Sequence, residues 1–157
     1  MHNISTLPAG KIIGIETAIF TIMNQEKYDP KAIPSAWQEF FGKYQQSDLP
    51  KESTFYGVTI PNGTMDIPMK YMAGLLVKEE SSIPAGMTSL DFPGGNYWLG
   101  LHKGPITELA NTYKHIYIKE FAETGLEMRP APHIEIYNSQ LNPMDDDYEL
   151  SIGIPIL

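Results

Sequence analysis

The segment PHIEIYNSQ, residues 132–140, sets one carboxylate and two polar rings at alternate positions. His133, Glu135 and Tyr137 alternate with Ile134 and Ile136, the period of a strand with two unlike faces. A carboxylate among aromatic rings can do two kinds of chemistry. It can neutralise a bound cation, with ring faces adding roughly 0.5–2 kcal/mol each. Alternatively, burial can raise its pKa until it works as a general base or a nucleophile. The alternation predicts that Ile134 and Ile136 point at the helices of a half-buried sheet, with Glu135 and Tyr137 on the other face. On that pattern alone, a solvated glutamate and a cleft glutamate both fit.

Aromatic residues could wall such a cleft. The chain has nine Tyr, six Phe and two Trp. Trp98, Tyr97, Tyr71, Phe55, Tyr56 and Tyr137 all fall in predicted strands. Singly each reads as core; as a set they suffice for an apolar cleft. Tyr97 and Trp98 are adjacent and must face opposite ways, and Trp98 is assigned to the cleft. Trp37 heads the apolar face of the first helix and reads as core.

Other residue types carry less. His102 shares strand parity with Trp98 and Gly100. His115 and His133 have no partner at metal-ligand spacing, and His133 is at most a rim contact beside Glu135. With no cysteine, disulfides, thiolate zinc sites and cysteine nucleophiles are excluded. Asp145, Asp146 and Asp147 lack the alternating spacing of a calcium loop and read as a charged hairpin tip. PAGM and PGGN are turns with no Lys-Ser/Thr behind them, not phosphate loops. Neither Ser139 nor Ser151 has an elbow context. No metal or cofactor is expected.

The elements that must position these residues follow from their periods. KIIGIETAIFT (11–21), STFYGVTIP (53–61), MKYMAGLLVK (69–78), GNYWLGLHK (95–103), PHIEIYNS (132–139) and YELSIGIPI (148–156) read as strands. In PSAWQEFFGKYQQ (34–46), Trp37, Phe40, Phe41 and Tyr44 line one helical face, with Ser35 and Gln38 at capping-box spacing. Gly104-Pro105 opens a second helix, whose apolar period runs through Tyr113, Ile116, Tyr117 and Phe121 to about Ala122 before Gly125. Asn62-Gly63 predicts a hairpin turn between the third and fourth elements, and residues 79–86 read as a connection. The order is strand–helix–strand–strand, twice, with pseudo-repeats at about 8–80 and 87–157 of one 157-residue domain. Two such units side by side, both helices on one face of a shared sheet, give an α+β fold with a cleft between the halves.

Bulk properties limit partners and place. The net charge is −8, and Arg129 is the only arginine. Direct nucleic-acid binding and anionic membrane surfaces are therefore not expected. No apolar run approaches the ~20 residues of a membrane helix. The N-terminal stretch lacks a signal-peptide pattern, so a cytoplasmic protein is expected.

Five pieces in order, YMAGLLV, IPAGM, GNYWLGLHKGP, the aromatic helix before GLE, and EIY followed by IPI, resemble the GyrI-like, or AraC-type, effector-binding (multidrug-sensor) domain family. The resemblance runs from about Ile12 to Ile156. It implies duplicated βαββ units with pseudo-two-fold symmetry, an antiparallel sheet and a ligand cleft between the halves. It implies a stand-alone member that binds small amphipathic molecules, cationic or aromatic, with Glu135 as cleft carboxylate and Tyr137, Trp98, Tyr71, Phe55 and Trp37 as walls. Alternatives within the family are a hydrolase of electrophilic small molecules using Glu135, and a gyrase-inhibitor-like interaction protein whose partner is a regulator or topoisomerase.

Overall fold

A computed structural model describes residues 3–20, 24, 26–51, 54–61, 67–77, 82–138 and 144–157. The predicted Asn62-Gly63 turn, residues 79–81 of the connection and Ser139 lie outside them. The elements are β1 (Asn3–Leu7), β2 (Gly10–Ile19), α1 (Ala32–Tyr44), β3 (Thr54–Ile60), β4 (Met69–Val77), β5 (Thr88–Phe92), β6 (Gly95–Lys103), α2 (Leu109–His115), β7 (His133–Asn138) and β8 (Glu149–Pro155). A 3-10 turn precedes α2 at Ile106–Glu108. A π-turn follows it at Ile116–Glu120, where the Phe121 N–H donates to the Ile116 carbonyl at 2.8 Å. The helix starts at Ala32, two residues ahead of the predicted Pro34, and the expected Ser35 capping box is not formed. Instead the Lys31 N–H donates to the Asp29 side chain at 2.9 Å.

All eight strands join one antiparallel sheet in the order β1-β6-β8-β7-β3-β4-β2-β5. Read outward from β7–β3, the order is symmetric: β8 answers β4, β6 answers β2, and β1 answers β5. The pseudo-two-fold axis therefore runs through the β3–β7 pair, where Glu135 lies opposite Gly57. Two strands, β1 and β5, go beyond the predicted units. Each precedes its unit in the chain but pairs with the other one, β1 with β6 and β5 with β2.

This exchange forces the sheet to curl. β1 is first and β2 seventh across it. Flat, they would stand ~29 Å apart at ~4.8 Å per strand. Only Pro8 and Ala9 join them, a link that spans ~10 Å at most from Leu7 to Gly10. Pro93 and Gly94 join β5 to β6 under the same constraint. The two links press on each other: at Gly94, φ +67°, an added Cβ would lie 2.5 Å from the Leu7 carbonyl oxygen and 2.7 Å from the Ala9 nitrogen. Arg129 clasps this seam, donating to the Gly94, Asn96 and Ile156 carbonyls and lying over the Tyr97 ring.

The curl gives the sheet two buried faces. Ile12, Val58, Met72, Phe92, Tyr97 and Ile134 fill the inside, joined by Leu7 and Leu90 from the edge strands. The other face carries the helices. Under α1 pack Ile13, Phe55, Tyr71 and Leu75, against Phe40 of the helix itself; under α2 pack Trp98, Leu150 and Ile152, against Ile116 and Phe121 from the turns that follow it. The predicted facing of β7 is thus reversed. Ile134 and Ile136 pack inside the curl, and Glu135 and Tyr137 point at the helices. Alternation separates two faces but does not say which one the helices cover when both are buried.

Candidate functional site

Glu135 sits near the centre of the sheet, on β7, with 4% of its surface exposed. Its carboxylate is held by three phenols. Tyr71 of β4 and Tyr137 of β7 donate to Oε1 at 3.0 and 2.7 Å, and Tyr113 of α2 donates to Oε2. Trp37 of α1 donates its indole N–H to the Tyr71 oxygen at 2.9 Å. Tyr71 and Glu135 belong to strands on either side of β3, and they meet because Gly57 between them has no side chain. A Cβ there would fall 2.3 Å from the Tyr71 oxygen and 2.7 Å from Oε1.

Rings enclose the carboxylate from both helices. Trp37 meets the Tyr137 ring at 4.9 Å and stacks on Phe41 at 5.7 Å. On the α2 side, Tyr113 stacks on Tyr117 at 6.1 Å, and Tyr117 stacks on His133 at 5.9 Å. The Tyr117 hydroxyl meets His133 Nδ1 at 2.6 Å. Tyr113 and Tyr117 are one helical turn apart, ~6 Å along an axis. Glu135 and His133 are two residues apart on one strand face, ~7 Å. The near-equal spacings let α2, with the π-turn that continues it, join β7 by two rungs, Tyr113–Glu135 and Tyr117–His133.

The electrostatics follow from burial. Loss of water raises the Glu135 pKa above its ordinary 4.5, while the three phenol hydrogen bonds and the nearby His102 pull it back down. Burial first, and then the Glu135 charge, raise Tyr71, Tyr113 and Tyr137 well above the usual phenol range. Burial lowers His133 to about 4, so its imidazole is neutral near pH 7. Among the described residues no lysine or arginine pairs with Glu135; the ion pairs there, such as Lys11–Asp91 and Lys103–Glu149, lie at the surface. No group of three His, Asp or Glu among them is placed to hold a metal, and no helix is long and apolar enough to cross a membrane.

Residues 3–156 match the family of integron-associated effector binding proteins. The chain belongs to that family. The transcriptional regulator BrlR of Pseudomonas aeruginosa is 26% identical over 149 residues, which cover 90% of this chain and 54% of the regulator. The chain thus spans about half the length of that curated relative. Among solved structures, SAV2435 bound to tetraphenylphosphonium superposes with a TM-score of 0.75 at 16% identity, covering 100% of this chain and 94% of that one. An integron cassette protein of Vibrio cholerae gives 0.70 at 13% identity, covering 99% and 95%. At these identities the superpositions show the shared fold.

Within this effector-binding fold, the sequence-derived residues separate into two groups. Glu135, Tyr137, Tyr71 and Trp37 come together in one hydrogen-bonded set. Phe55, opposite Tyr137 in register, is the packed floor beside it, edge-on to Phe41 at 4.9 Å. Trp98 shares the helix-covered face but lies on β6, beyond β8, packed edge-on against Phe121 at 5.5 Å under α2. His102 is buried and ties the β6–α2 turn: Nε2–H donates to the Gly104 and Pro105 carbonyls, and Nδ1 meets the Thr112 hydroxyl at 2.6 Å. Tyr113, Tyr117 and Gly57 were not singled out from sequence. The available signal was two hydroxyls on a core-facing helical stripe, since buried phenols need acceptors. A groove of about 220 Å³ opens at the strand ends between Thr54, Leu101, Ile136, Glu149 and Ser151, and shares Tyr137 with the Glu135 cluster.

Proposed function

We propose that this protein captures small amphipathic cations between α1 and α2, with Glu135 as the counter-charge and the surrounding rings as walls. The observation that carries this reading is the buried Glu135 carboxylate, hydrogen-bonded by Tyr71, Tyr113 and Tyr137 and by no basic side chain among the described residues. An ionised carboxylate removed from water is costly without a positive partner. Phenols offset part of that cost, and a bound cation supplies the missing charge. Aromatic faces add cation–π attraction and exclude water. The family's effector-binding description and the tetraphenylphosphonium held by SAV2435 support the reading.

The same hydrogen bonds favour capture over turnover. A carboxylate offers about four acceptor positions, and phenols hold three of them. A base or nucleophile needs a lone pair aimed at the reacting atom. The test is thermal unfolding with and without tetraphenylphosphonium. The ligand should raise the Tm of the wild type through linkage, and Glu135→Gln should bind about tenfold or more weakly with the fold intact. An equal Tm shift in both proteins would remove Glu135 from the site.

A further inference from the structure

The second rung between α2 and β7 has chemistry of its own. His133 shares the face of Glu135 and lies about 7 Å from it along the strand. Its ring is fixed from one side, stacked on Tyr117 and bonded through Nδ1 to the Tyr117 hydroxyl at 2.6 Å. A neutral imidazole has one acceptor nitrogen and one N–H. Burial keeps His133 neutral and keeps the Tyr117 phenol protonated. When the phenol donates to Nδ1, the proton of the ring sits on Nε2, and the second-sphere bond sets the tautomer. His133 is also partly exposed, whereas Glu135 is buried.

We propose that His133 is the outer anchor of the ligand site, its Nε2–H holding a neutral oxygen acceptor carried about 7 Å from the cationic centre that Glu135 holds. This rests on the reading of Glu135 as a cation site and narrows its ligand class. The preferred ligands are amphipathic amines that carry a ketone, ester or ether oxygen, rather than purely hydrocarbon cations. Tyr117 acts as a positioning residue, through His133.

Calorimetric titration of the whole chain with two matched probes tests this. One probe is protonated δ-(dimethylamino)valerophenone, whose extended chain sets the ketone near the required distance. The other is its deoxy analogue, with a methylene for the carbonyl. Wild type should bind the ketone about fivefold more tightly, the scale of one neutral hydrogen bond. His133→Phe keeps a ring for Tyr117 to stack on and removes the donor, so it should bind both probes alike. His133→Gln, which restores an N–H, should recover part of the preference, and Tyr117→Phe should weaken it. A preference that survives in His133→Phe overturns the proposal, as does equal binding of both probes by wild type. If wild type binds neither probe, the Glu135 reading falls and this proposal with it; equal binding leaves the Glu135 reading standing alone.

Discussion

A methyl group on Gly57 would meet both the Tyr71 hydroxyl and Glu135 Oε1 well inside contact distance. Gly57→Ala should therefore push Tyr71 off the carboxylate. We expect a loss of roughly 1–3 kcal/mol in urea unfolding, and a smaller loss when the substitution is made on Tyr71→Phe, because the nearest colliding atom is gone. Additive losses would show that the two residues act independently. Two titrations also belong to this scale, and in both the loss comes as pH falls. Cation capture as proposed would need ionised Glu135, whose pKa lies above 4.5. Affinity for tetraphenylphosphonium should thus fall as pH drops through that raised value, and Glu135→Gln should flatten the profile. His133 is held at about 4 in the folded chain against 6.5 unfolded. Between these values the unfolded chain binds the proton, so the His133 contribution to stability is present above 6.5 and is lost as pH falls toward about 4. His133→Phe should remove that part of the acid sensitivity, measured as urea midpoint against pH.

The two helices cover the sheet differently. α1 has thirteen residues, buries Ala36, Phe40 and Tyr44, and lies close on β2 and β4. α2 has seven, none of them fully buried, and is bracketed by a 3-10 turn and a π-turn. It and the π-turn reach β7 through the long side chains of Tyr113 and Tyr117 respectively. Few buried contacts mean a low cost of local opening. Amide exchange should be faster across 109–120 than across 32–44 in the free protein, and tetraphenylphosphonium should slow the former. Equal protection of both helices would contradict this. The π-turn also explains why a simple helical period was an incomplete guide here. Ile116 and Phe121 both pack on the Trp98 side although they are five residues apart; one extra residue in the turn restores their common facing.

At the scale of the whole molecule, two-residue links carry the chain between the ends of an eight-stranded sheet. The seam at Pro8-Ala9 and Pro93-Gly94 is where the curl closes. Gly94→Ala should cost about 1–3 kcal/mol in urea unfolding, since it adds both a strained positive φ and a collision with the Leu7 carbonyl. Tetraphenylphosphonium affinity at saturating fold should stay unchanged, because Glu135 lies on β7 and the seam joins the edge strands. A parallel loss of affinity would mean that the curl sets the site geometry directly.

Much of this architecture was legible in the chain. Six strands, both helices and their repeat follow from periods of two and 3.6, because each element must bury a stripe of its own residues. Glu135, Tyr137, Tyr71 and Trp37 were legible as polar and aromatic residues on those elements. Three things came only from the tertiary structure. The facing of β7 was reversed because the curl buries both sheet faces, and alternation is blind to which one holds the helices. β1 and β5 are edge strands whose pairing is made with the other unit, so nothing local announces it. Tyr113 and Tyr117 meet Glu135 and His133 because a helical turn and two strand residues have nearly the same length, a match that exists only once the second helix lies along β7.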